Sequence, residues 1–168
     1  VLGPSVATGW TQSSDGIEWR FPIREGVRYH SGRPCDAEAV AATFAFHADP
    51  VASPLNSGFW HVVESVRADG GAVVVRLRHR SAGFPTLLRS WHAAIHCQAS
   101  REAAGDDYGW TSADGTGPFR FKEWRPDVFL TMEGNQDYWG GPATVGELTV
   151  RALPEPSTDA TDRPVQAT

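Results

Sequence analysis

The stretch Gly26-Val27-Arg28-Tyr29-His30-Ser31-Gly32-Arg33-Pro34-Cys35-Asp36-Ala37-Glu38-Ala39-Val40 decides how this 168-residue chain folds. It reads as the end of a strand, a tight turn and the start of a helix. Just upstream, Ile17, Trp19, Phe21 and Ile23 alternate with Glu18, Arg20, Pro22 and Arg24, and a period of two puts the apolar set on one strand face. Glu25-Gly26 breaks that run, and Ser31-Gly32-Arg33-Pro34 supplies turn chemistry. Asp36 is placed to cap a helix, with Glu38 favourable in its first turn. Ala37, Val40, Ala41, Phe44 and Ala48 then recur at helical spacing, which predicts an amphipathic helix.

Outward from this core stretch, Ser13-Ser14-Asp15-Gly16 predicts a turn before the first strand. His47 to Gly58, with two prolines, an Asn and a Gly, is expected to cross the surface as a loop. Val62, Val63 and Val66, followed by Ala72 to Arg78, predict a hairpin about Asp69-Gly70-Gly71. A helical turn fits Phe84 to Arg89, an apolar strand Ala93 to Cys97, and a single helical turn Ser100 to Ala104. Gly105 to Gly115 reads as a polar loop. Phe119 and Phe121 belong to one strand, and Val128, Leu130 and Met132 to another, with Arg125-Pro126-Asp127 turning between them. A last strand is expected over Leu148 to Leu153. Pro154 to Thr168 holds no large apolar residue except Val165 and reads as disordered. Mostly strands with few helices imply an α+β architecture with mixed or antiparallel sheets.

Bulk composition narrows the functional classes. A net charge of −5 argues against nucleic acid as the main partner, which calls for a basic stripe. No run approaches the roughly 18 apolar residues of a membrane span. The chain opens at Val1 with no basic or apolar leader, so no targeting signal is visible. Cys35 and Cys97 permit one internal disulfide, or two buried free thiols acting as small hydrophobes.

Candidate sites are few. His92 and His96, with Cys97 adjacent, share a face on a helix or strand, so a zinc site serving a small metal-dependent hydrolase is one reading. No Glu follows His92 as H-E-x-x-H requires, and no third ligand stands nearby. Asp114-Gly115-Thr116-Gly117-Pro118 lacks the Lys-Ser/Thr step of a phosphate loop and precedes a strand, so its glycines suit a sharp chain crossing. Positive φ, or a backbone approach too close for a Cβ, is expected at Gly32, Gly117 or both. No G-x-S-x-G elbow occurs. Phe59, Trp60, Trp91 and His92 remain, either as packing or as a wall for a ligand. Trp10, Trp19 and Trp139 read as packing, Trp139 pinning a loop.

The opening stretch also carries a resemblance. Trp10 to Ile17, Phe21 to Pro34 and Ala37 to Val40 resemble the signature of the solute-binding proteins of peptide and nickel ABC importers. Gly115-Thr116-Gly117-Pro118-Phe119-Arg120-Phe121 and Asn135 to Pro142 resemble a second block of the same family, extracytoplasmic family 5. Ala39 stands where the family has Asp, Pro22 where it has a residue that pairs in the strand, and the cysteines are no family feature. The resemblance implies a partial periplasmic binding protein type II fold. Residues 1–114 are then a small lobe with its lead-in, 115–153 strands returning to the first main lobe, and 154–168 a disordered tail. It implies binding of a small peptide or similar polar solute by lobe closure, and delivery to an ABC permease in the membrane. It implies no catalysis, no cofactor and no metal. It places the protein in the periplasm or outside the cell, with a lipid anchor conceivable and its signal upstream of Val1. Phe59, Trp60, Trp91 and His92 would approach the ligand cleft from the small-lobe side. With the opposing lobe outside this chain, oligopeptide affinity is expected to be weaker than about 100 μM. The strands from Phe119 to Leu153 are expected to expose an apolar face. A non-catalytic interaction domain is the remaining alternative.

Overall fold

The computed structural model describes residues 3–153. Its first unit is a four-stranded antiparallel sheet in the order β1-β2-β4-β3, formed by β1 (Thr11–Gln12), β2 (Glu18–Pro22), β3 (Val63–Asp69) and β4 (Ala72–Leu77). The alternation read from the sequence sets the faces. Trp19 pairs with Val75 and Phe21 with Val73, and these four residues are buried. Val74 points the other way yet is 2% exposed. Arg20 and Arg67 flank it in register on either side, so their aliphatic stems cover it while their guanidinium groups pair with Asp69.

Helix α1 (Ala37–Ala48) packs on this sheet. Asp36 starts it as expected: its carboxylate accepts from the Ala39 N–H at 2.9 Å. That bond satisfies one of the backbone donors a helix start leaves free, and its loss costs ~1 kcal/mol. Val40, Ala41 and Phe44 enter the core together with Trp60, Val63 and Leu77. Full burial of a Val or Phe side chain contributes roughly 1.5–3 kcal/mol relative to exposure.

Three expectations fail here. The Ser13 to Gly16 turn lies between β1 and β2, not before the first strand. His47 to Gly58 is not a loop throughout, because α1 runs to Ala48 and α2 occupies Pro54–Trp60. Ser53-Pro54 is a helix-start signal, with Pro54 at the first helical position, where its missing N–H costs nothing. Ala93 to Cys97 is not a strand. Trp91–Ala93 is a 3-10 turn, Ala94 to Cys97 is irregular, and the Cys97 N–H donates to Asp114 O instead of to a sheet. Short helices α3 (Phe84–Leu87) and α4 (Gln98–Ala104) flank this segment.

The second unit is a three-stranded antiparallel sheet of β5 (Phe119–Arg125), β6 (Phe129–Gly134) and β7 (Glu147–Arg151). Both sheets are thus antiparallel, not mixed. Register gives the second sheet one polar and one apolar face. Trp124, Leu130 and Val150 lie in line across it, as do Phe121, Met132 and Leu148. Trp124, Leu148 and Val150 are exposed, as the sequence led one to expect. Exposed Trp110, from the loop before β5, stacks on Trp124 at 4.9 Å and extends the same apolar surface. The disorder expected for Pro154 to Thr168 lies outside the described residues.

Candidate functional site

Two constellations stand out, one where the chain crosses between the sheets and one behind helix α2. At the crossing every carbonyl from Asp114 to Pro118 accepts a hydrogen bond. Asp114 O takes the Cys97 N–H, Gly115 O the His30 N–H, and Pro118 O the Asn135 N–H. Thr116 O takes the Trp139 indole N–H, and Gly117 O receives both His30 Nε2 and Asn135 Nδ2. The Asp114 carboxylate meets the Ser31 N–H at 3.0 Å and the Ser100 hydroxyl. Burial pushes the Asp114 carboxyl up, but these hydrogen bonds outweigh it and hold it below the ordinary carboxylate value. The glycine-rich segment therefore serves as a clamped crossing. Trp139 pins it, as expected, and Arg24 lies over the Trp139 ring at 4.9 Å.

Gly32 has φ +83, a left-handed conformation that glycine adopts without cost, in the turn closed by Gly32 N–H to Tyr29 O. Gly117 shows no positive φ, and a Cβ there would meet nothing within 4 Å. The expectation held at Gly32 alone, because the Asp114–Pro118 bend is fixed by its acceptors.

The second constellation unites the aromatic residues singled out in the sequence. Phe59 and Trp60 come from α2, and Trp91 and His92 from the 3-10 turn facing it. The His92 ring stacks on Phe59 at 5.0 Å and lies 3.7 Å from Trp91. Trp60 is 1% exposed, and its indole N–H donates to His92 O at 2.9 Å. It stands behind the others and fixes the backbone of the turn. Trp91, 73% exposed, forms the outer surface.

Residues missed in the sequence complete this site. Asn56 Oδ1 meets His92 Nδ1 at 2.8 Å, and Asn56 Nδ2 meets His47 Nδ1 at 3.1 Å and Ser53 Oγ at 2.9 Å. Asn56 was legible only had Ser53-Pro54 been read as a helix start. The zinc reading fares differently. His96 Nε2 meets Gln98 Oε1 at 3.2 Å, His92 meets Asn56, and among the described residues no three His, Cys, Asp or Glu side chains gather to hold a metal. Burial holds both His47 and His96 below the ordinary histidine value, while the Cys35 thiol is pushed up to about 11 by burial. Cys35 and Cys97 are buried free thiols, the second of the two states the sequence allowed. An apolar cleft of about 490 Å³ is lined by Val6, Trp10, Phe21, Leu88 and Ile95, and none of Phe59, Trp60, Trp91 or His92 lines it.

With the geometry in place, known proteins show what this chain resembles. The family model described as bacterial extracellular solute-binding proteins, family 5 (middle), matches residues 1–163. A probable di/tripeptide-binding protein 5 of Pseudomonas aeruginosa is 29% identical over 175 residues, covering 90% of this chain and 33% of that protein. The nickel-binding periplasmic protein of Escherichia coli is 27% identical over 165 residues, covering 94% and 30%. Among solved structures, the ABC transporter-associated periplasmic binding protein DppA of Helicobacter pylori, in complex with the peptide STSA, superposes with a TM-score of 0.77 at 27% identity, over 90% of this chain and 34% of that one. The substrate-binding domain of a Bacillus anthracis oligopeptide ABC transporter reaches a TM-score of 0.81 at 18% identity, a likeness of fold. The chain spans about a third of the length of the relatives it matches.

Proposed function

The chain belongs to the bacterial extracellular solute-binding proteins of family 5, and on that premise we propose that it serves an ABC importer by holding small polar solutes, short peptides first among them. The family is one of binding proteins, not of enzymes, and that sets the hydrolase reading aside. In this proposal residues 3–114 act as a small lobe and residues 115–153 return to a main lobe. The carrier works outside the cytoplasmic membrane, closing on solute and passing it to a permease. Among the described residues no helix is long and apolar enough to cross a membrane.

The observation that carries the site is an aromatic wall whose outer face is the exposed Trp91, with Phe59 and His92 half-buried behind it. Phe59, His92 and Trp91 stand in a row, propped from behind by Trp60. Rigid rings bury ligand area at little rotamer cost, while nearby polar groups set orientation. Relatives named for dipeptides, tripeptides and nickel share the family, and the wall suits a peptide better than a bare ion because no metal-ligand cluster accompanies it among the described residues. The test is an NMR titration with a pool of di- to pentapeptides. Saturable shifts centred on Phe59, Trp91 and His92, weakened by Trp91→Ala, are expected. Shifts that spare these residues would sink the assignment.

A further inference from the structure

We infer that His92 is locked as the tautomer with its proton on Nδ1, and that its bare Nε2 selects ligands presenting an N–H donor to the aromatic wall. The ligand half of this inference rests on the wall proposed above; the tautomer half does not.

One carbonyl settles every assignment. Ala94 O can only accept, so His47 Nε2, 3.0 Å away, carries a proton. His47 is 6% exposed, and burial keeps its ring neutral at neutral pH, so its Nδ1 is a lone pair. That lone pair faces Asn56 at 3.1 Å and requires the amide nitrogen there. The same nitrogen reaches Ser53 Oγ at 2.9 Å, so the amide is held at both of its N–H positions. Asn56 Oδ1 is thereby turned to His92 Nδ1, 2.8 Å away, and that nitrogen must donate. A neutral imidazole protonated on Nδ1 has its lone pair on Nε2.

Nothing among the described residues meets that lone pair. Nor is it one of the buried polar atoms left without a partner, which are Trp19 Nε1 and Tyr29 OH, so it opens to solvent. The ring cannot turn away, because Phe59 and Trp91 flank it and Trp60 holds its backbone carbonyl. An amide or ammonium N–H completes this acceptor. A carbonyl or carboxylate would meet lone pair against lone pair and is disfavoured.

Long-range proton–nitrogen NMR on the ligand-free protein at pH 8 tests the tautomer. His92 should show Nδ1 protonated and Nε2 bare, with His47 the reverse, and Asn56→Ala should convert His92 to a tautomer mixture. His92 protonated on Nε2 in the unsubstituted protein would overturn the inference. Trialanine and its fully N-methylated analogue then probe selection. His92→Phe keeps the stacked ring and should weaken trialanine about fivefold more than it weakens the methylated probe, the loss of one neutral hydrogen bond. An equal effect of His92→Phe on both probes would overturn the selection. Shifts that avoid Phe59 and Trp91, with tautomers as stated, would overturn the wall and the selection together and leave the tautomer lock standing.

Discussion

His30 reaches across 87 residues of sequence to place its Nε2 3.0 Å from the carbonyl oxygen of Gly117. The contact joins the strand–turn–helix stretch to the glycine-rich crossing, so the two blocks that carry the family resemblance meet in space. Asn135, from just after β6, donates to the same oxygen at 3.1 Å. A carbonyl has two lone pairs, and this one uses both.

That sharing gives the first prediction. His30→Ala and Asn135→Ala should each destabilise by about 1–2 kcal/mol, the cost of removing a partner from a part-buried polar group. Because both donate to one acceptor, the double variant should depart from additivity by at least ~0.5 kcal/mol. Urea unfolding of the four proteins measures this, and strict additivity would show that Gly117 O does not couple the two side chains.

Glycine positions separate by cause. Gly32→Ala should cost roughly 1 kcal/mol, since its φ of +83 strains any residue with a Cβ. Gly117→Ala should lie within about 0.5 kcal/mol of the parent, having open space and no positive φ. Gly134→Ala should be the most damaging, because the added Cβ meets the Val145 carbonyl oxygen head on, and backbone must shift. Thermal unfolding ranks the three, and any other order contradicts the geometry.

A pH response follows from His47 and His96, both held by burial below the ordinary value of 6.5. The unfolded chain binds their protons more readily than the folded one. Stability is therefore full above 6.5 and falls as pH drops from there towards the lower folded values. His92 and Arg101 face His47, and His47 and Arg101 face His96, so each added charge also meets neighbouring positive groups. Denaturant midpoints between pH 8 and 5 should decline on the acid side. His47→Gln should flatten that decline, and a midpoint independent of pH would refute the burial argument.

Where local chemistry and global packing agreed, the fold was legible from sequence. The alternation of Ile17 to Ile23, the Asp36 cap, the Asp69-Gly70-Gly71 hairpin and the existence of the three strands after Pro118 read correctly, since each has one dominant period or turn signal, although Val128 falls in the turn before β6 and the last strand ends at Arg151, not Leu153. The failures share a different cause. Helix α2 was hidden because its sequence, Pro54 to Trp60, holds Asn56, Ser57 and Gly58, weak helix formers that tertiary packing of Trp60 overrides. Ala93 to Cys97 looked like a strand because it is a short, largely apolar run, yet its backbone partners are side chains and loops, which periodicity does not see. At the candidate site the rings were visible as residue types. The Asn56 relay that orients His92 was not, because it depends on contacts between residues 9 and 36 positions apart.

The last prediction concerns the apolar face of the second sheet. Cross-strand pairing aligns Trp124, Leu130 and Val150, and beside them Phe121, Met132 and Leu148, while Trp110 stacks at the margin. Burial of such area is worth roughly 25 cal/mol per Å², so a surface of this kind left to water promotes association. β7 adds to this, because all its residues are exposed and it forms the sheet edge, where unpaired backbone groups invite another strand. Only Glu147 and Arg151 at its ends carry charge. Sedimentation of this 168-residue chain should thus show concentration-dependent self-association. Val150→Lys places a charge in the middle of the face and next to the free edge, and should shift the protein towards monomer. It should leave stability within about 0.5 kcal/mol, because Val150 is already 53% exposed. A parent chain that stays monomeric at millimolar concentration, or a Val150→Lys variant that associates as strongly, would show that the face is not the adhesive surface.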